Sequence, residues 1–166
     1  MKNTKNNFGF TVAELLLSLA IASMLLVAVA VAFNASATNY RENEDIFRVT
    51  NSARQALFRI TSQLRTADAV VHDAPGNECT MITAAGENIT YQYNSGDNKL
   101  YLITNDDLTD SDYVLCDNVT AMNCTKTWIV EDALIKVQNV QISITVVSGD
   151  VQKTISAAAS IRRNLN

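Results

Sequence analysis

A chain of 166 residues with a net charge of −4 has room for one modest globule, and 13 basic against 17 acidic residues argue against nucleic acid as its main partner. Phosphate-driven affinity comes from Lys and Arg, yet from Val70 onward 6 basic residues face 12 acidic ones. Catalysis finds little support, because His72 stands alone as a surface histidine and no Ser or Cys sits in a recognisable nucleophile motif.

Positions 1–9 form a short polar leader with Lys2 and Lys5. From Phe10 to Phe33 only Thr11, Glu14, Ser18 and Ser23 interrupt an apolar run. At 1.5 Å rise per residue such a helix covers ~36 Å, enough to cross a ~30 Å hydrocarbon core. Glu14 is the anomaly, since a carboxylate in lipid costs ~2.5–3.5 kcal/mol on insertion scales and implies a waiting partner. The polar leader ends before the apolar run begins, unlike a secretory signal with its shorter apolar region. Lys2 and Lys5 favour a cytoplasmic leader, while the far flank balances Arg41 with Glu42, Glu44 and Asp45, so the rest of the chain is expected outside the cytoplasm.

Over 34–72 the pattern turns amphipathic: Ile46, Val49, Ala53, Leu57, Ile60, Leu64, Ala67 and Val71 recur at three- and four-residue steps. With no Pro between Phe10 and Pro75, one helix is expected from about Phe10 to about Ala69, ~90 Å long. Its N-terminal half must then reach into lipid or other subunits. Arg41, Arg48, Arg54, Arg59 and Arg65 on this helix either pair with acids of adjacent subunits or form a solvated face. His72-Asp73-Ala74-Pro75-Gly76 ends the helix.

The remainder, 73–166, reads as an antiparallel β-sheet, giving an α+β fold with the C-terminal half of the helix packed on that sheet. Ile89–Asn94 and Lys99–Thr104 flank a Ser-Gly-Asp-Asn turn; QISITVV and VQKTISAAASI flank Ser148-Gly149-Asp150. Val140, Ile142, Ile144 and Val146 share one face, as do Val151, Ile155, Ala157, Ala159 and Ile161. Val119–Val130 is a further strand, placing Met122, Cys124 and Trp128 together. The run Asn105–Asp112 offers oxygen ligands for Ca²⁺ but lacks the spacing, Gly and terminal Glu of an EF-hand loop, and reads as a solvated acidic loop. Cys79, Cys116 and Cys124 all fall in the exported part, where one disulfide and one leftover thiol is the simplest arithmetic. Cys124 sits on a core-like face and Cys79 and Cys116 flank predicted strands, so Cys79 with Cys116 is the favoured pair. All three reduced, or Cys116 with Cys124, are the alternatives.

The junction Phe8-Gly9-Phe10-Thr11-Val12-Ala13-Glu14-Leu15-Leu16 resembles the prepilin N-terminal signature of type IV pilins and type II secretion pseudopilins. The resemblance implies cleavage between Gly9 and Phe10 by a prepilin peptidase and N-methylation of Phe10. It also implies that Glu14 neutralises the free N-terminal amine of a neighbouring subunit as helices stack. Two charges costly alone in lipid become favourable as a pair there, because the low dielectric that penalises each strengthens their attraction. The stretch ARQALFRITSQLRTADAVV, the segment LCDNVTAMNCTKTW and the terminal ASIRRN are similar to minor pilins of the PilW type and the J-type minor pseudopilin. Val31 stands where major subunits usually carry a helix-kinking proline, a departure that points to a minor subunit.

The expected function is therefore a non-enzymatic minor pilin or pseudopilin without cofactor or metal, initiating assembly or located near the tip. Its implied partners are other pilin or pseudopilin subunits, the prepilin peptidase, the inner-membrane assembly platform and, before assembly, membrane lipid. It would be a single-pass inner-membrane protein with its C-terminal part in the periplasm or outside, later moving into a filament. The alternative is a membrane-anchored periplasmic binding or sensory module that never leaves the bilayer.

Overall fold

Thr11 starts the fold by capping the helix that follows it, because its backbone carbonyl accepts the Leu15 N–H at 3.1 Å, the first intrahelical bond. The computed structural model describes residues 10–107, 112–131 and 134–162. Helix α1 (Val12–Thr66) runs for 55 residues without a break. The chain divides into two units, Met1–Arg41 and Glu42–Asn166. In the first, the apolar side chains from Phe10 to Phe33 are exposed throughout.

In the second unit the three- and four-residue apolar spacing becomes a buried stripe: Ile46, Val49, Ala53, Ala56, Leu57, Ile60 and Leu64. The helix ends at Thr66, three residues before the expected Ala69. Strand pairing overrides helix propensity here. The Asp68 N–H donates to the Ile82 carbonyl at 2.9 Å, and Ala69–Val70 form a short strand, β1, against β2 (Glu78–Ile82).

Two antiparallel sheets follow where one was expected. The first has the order β1-β2-β3-β4-β5, with β3 (Asn88–Asn94), β4 (Lys99–Thr104) and β5 (Tyr113–Cys116); the second has the order β6-β7-β8, with β6 (Val119–Glu131), β7 (Leu134–Ser148) and β8 (Val151–Ser160). Both expected hairpins form, with Asn94 opposite Lys99 and Ser148 opposite Val151. In the second, Gly149 takes φ of 56° at the first position of a two-residue turn, where a positive φ favours glycine. β7 begins at Leu134, well before the expected Gln141, and pairs with β6 as a long ribbon.

Val140, Ile142, Ile144 and Val146 are buried as the alternation requires, Ala159 joins them from the last strand and Ile161 from just beyond it; Ile155 and Ala157 are half-buried and Val151 is exposed. Two register shifts adjust the ribbon: one at Thr120 turns both Val119 and Met122 inward, and one at Gln138 does the same for Val137 and Val140. The helix stripe, the inner faces of both sheets and Ile161 share one core, with Ile60, Leu64, Met81, Tyr91, Leu100, Ile142 and Ile144 fully enclosed. Trp128 departs from the expected cluster. Met122 and Cys124 are buried, whereas Trp128 is 49% exposed and meets His72 edge-on at 6.0 Å.

Candidate functional site

Of the residues expected to carry processing and assembly, Phe10 and Glu14 lie at the start of α1. Gly9 falls outside the described residues; Phe10 is 85% exposed just ahead of the helix. Thr11 and Glu14 form a reciprocal box. The Thr11 N–H and hydroxyl donate to Glu14 Oε2 at 2.9 and 3.0 Å, and the Glu14 N–H donates to Thr11 Oγ1 at 3.3 Å. This is the capping arrangement that a T-x-x-E spacing encodes, and it satisfies two of the N–H groups that a helix start leaves without partners. An acid in the first turn also complements the helix dipole. Glu14 thus has an intrachain function that inspection of the apolar run misses, although the spacing announces it.

Both of Thr11's bonds fall on Oε2, leaving Oε1 without a partner among the described residues. Behind the box, Ser18 and Ser23 turn their hydroxyls back to the carbonyls of Leu15 and Ala20, at 2.9 and 2.8 Å. Each interruption of the apolar run other than Glu14 is thereby internally satisfied, which is what a helix in hydrocarbon needs. α1 contains a stretch long and apolar enough to cross a membrane once. Core helices and signal sequences can share that length and composition; the stretch here is wholly exposed.

The cysteines are arranged differently from the expected pairing. All three are buried and none is joined in a disulfide in this structure. Cys79 lies on β2 and Cys116 on β5, with β3 and β4 between them. Three inter-strand steps of about 4.8 Å put the two strands ~14 Å apart, whereas a disulfide needs Cα atoms within about 7 Å. The pairing of Cys79 with Cys116 is therefore corrected. Cys116 instead donates its S–H to the Asp117 carbonyl at 3.3 Å.

Cys79 has the Cys124 side chain as its neighbour within the shared core. That proximity pushes the Cys79 thiol above its ordinary value, reinforced by burial, and pulls Cys124 below its own. The backbone explains the meeting. The Gly76 carbonyl accepts the Cys124 N–H at 2.6 Å, the Ala74 carbonyl accepts Lys126 Nζ at 2.8 Å, and His72 meets Trp128, so the segment after the helix runs antiparallel along β6.

Other candidates have structural roles. In the acidic loop, Asp106 Oδ2 accepts the Asn88 N–H at 2.7 Å, and Asn105 Nδ2 donates to Asn88 Oδ1 and Thr90 Oγ1, both at 2.9 Å. Residues 108–111 of that loop lie outside the described residues, and among the described residues no group of acids, His or Cys could hold a metal ion. Arg48 meets Asp45 at 3.6 Å on the surface, and the Arg59 guanidinium lies 5.7 Å from the Tyr113 ring centroid. Comparison with protein-family models, with curated proteins and with solved structures finds no significant match.

Proposed function

We propose that the protein is a minor subunit of a type IV pilus or a type II secretion pseudopilus, cleaved between Gly9 and Phe10, methylated at Phe10 and built into a filament near its tip. The observation that carries this reading is Glu14: an acid in the first turn of an exposed, membrane-length apolar helix, immediately behind a Gly-Phe junction. Its free Oε1 would accept the N-terminal amine of a neighbouring subunit while Oε2 keeps the cap. The apolar stretch would serve as a bilayer anchor before assembly and as filament core afterwards, with the Glu42–Asn166 unit outside the cytoplasm.

Mass spectrometry of the protein from cells with an active prepilin peptidase tests this directly. The expected N-terminus is a methylated Phe10; an intact Met1 terminus overturns the reading. The rival, a membrane-anchored periplasmic module, draws on the same Thr11–Glu14 box, because a cap alone gives the acid a purpose. Resistance to cleavage together with absence from sheared filaments would favour that rival.

A further inference from the structure

Cys79 and Cys124 are buried in one core but come from different sheets. Cys79 belongs to β2 of the five-stranded sheet and Cys124 to β6 of the three-stranded one. Both are core residues, 0% and 6% exposed. Their approach is fixed on both sides: the Gly76 carbonyl holds the Cys124 N–H, and the turn in which Glu78 N–H donates to the Pro75 carbonyl at 3.0 Å delivers Cys79 directly afterwards. A Cβ on Gly76 would lie 3.0 Å from Asn123 Oδ1, so a larger residue there would have to displace that side chain beside Cys124.

We propose that Cys79 and Cys124 form a disulfide that staples the two sheets together through the core, leaving Cys116 as a permanent free thiol. The oxidant is an external disulfide of the thiol–disulfide exchange class. Cys124, as thiolate, attacks one sulfur of that disulfide, forms a mixed disulfide and releases one oxidant thiolate. Cys79 then gives up its proton and attacks the Cys124 sulfur, forming the Cys79–Cys124 bond and releasing the second oxidant thiolate. Two electrons and two protons pass to the oxidant, which ends as two thiols. The same bond forms, with the same two oxidant thiolates released, if Cys79 attacks first and Cys124 second. Because both sulfurs are enclosed in the finished core, exchange takes place while the sheets are closing. In cells, the staple rests on the reading that this part of the chain is exported to an oxidising compartment.

The test uses the full chain in detergent, reduced, unfolded in urea and refolded in a mixture of reduced and oxidised glutathione. Remaining thiols are alkylated, and digestion with trypsin and at Asp117 separates Cys116 from Cys124. The expected result is one linked peptide pair carrying Cys79 and Cys124, with Cys116 alkylated. Cys116→Ser keeps that link and Cys124→Ser removes it completely. A link through Cys116, or three alkylated cysteines, overturns the proposal. The same mapping on protein trapped with N-ethylmaleimide in cells separates the two questions. A link there supports staple and export together, whereas reduced thiols in cells beside a link in glutathione support the pair and overturn export.

Discussion

Thr11 and Glu14 cap one another, the Thr11 N–H and hydroxyl both donating to Glu14 Oε2 while the Glu14 N–H returns a bond to Thr11 Oγ1. A defect in Glu14→Ala would therefore mix a lost cap with a lost charge. Thr11→Ala separates them, since it removes the cap, worth about 0.5–2 kcal/mol, and keeps the carboxylate. If Glu14 pairs with a neighbour's amine, Glu14→Ala and Glu14→Gln are cleaved normally but fall at least tenfold in sheared filaments, while Thr11→Ala incorporates nearly as wild type. Immunoblots of sheared and membrane fractions check this. Equal losses in Thr11→Ala and Glu14→Ala would assign the defect to the cap.

Periodic elements are legible in the sequence because one-sided burial writes a period into the residues. Ile46 through Leu64 recur at helical spacing and are buried; Val140 through Val146 alternate and are buried. What escapes is set by pairing between distant segments. Ala69 and Val70 look like the end of a helix until Met81 and Ile82 offer a strand, and β5, at four residues, is too short to carry an alternation of its own. The cysteine pairing escapes for the same reason, because it depends on the long return that lays Gly76 beside Cys124. Thr11 was within reach, since T-x-x-E is a local signal.

Two neighbours on α1 test the buried stripe. Ile60 is fully enclosed by the core, whereas Phe58 is 74% exposed. Ile60→Ala should cost about 2–5 kcal/mol through lost burial and the cavity left behind. Phe58→Ala, although it removes the larger side chain, should stay within about 0.5 kcal/mol in the isolated subunit. Urea titrations of the full chain in detergent read both, and comparable losses would contradict the orientation of the helix on the sheets.

Gly149 isolates backbone strain from packing. Its φ is 56°, and a Cβ added there meets nothing within 4 Å, so a substitution is penalised only by the turn conformation. Gly149→Ala should cost about 1 kcal/mol, and Gly149→Asn less, because Asn tolerates the left-handed region better. Thermal unfolding of the two variants compares them; an unaltered midpoint for Gly149→Ala would remove the reason for a glycine in the β7–β8 turn.

Tyr91 makes stability depend on alkaline pH. It is fully buried on β3 and donates its hydroxyl to Gln63 Oε1 on the helix. Burial pushes its phenol up to about 12, with Arg59 opposing the rise. In the unfolded chain a tyrosine ionises near pH 10, so between about pH 10 and 12 the folded protein keeps a proton that the unfolded one has released. Stability from this group is complete below about pH 10 and is lost as pH rises through about 12, by roughly 3 kcal/mol. Tyr91→Phe should be weaker at neutral pH by about 0.5–1.5 kcal/mol, the worth of the Gln63 hydrogen bond, yet lose less between pH 10 and 12. Urea midpoints across that range for both proteins in detergent make the comparison, the difference between them cancelling the other titrating groups. Parallel curves would show that Tyr91 is not the residue holding the proton.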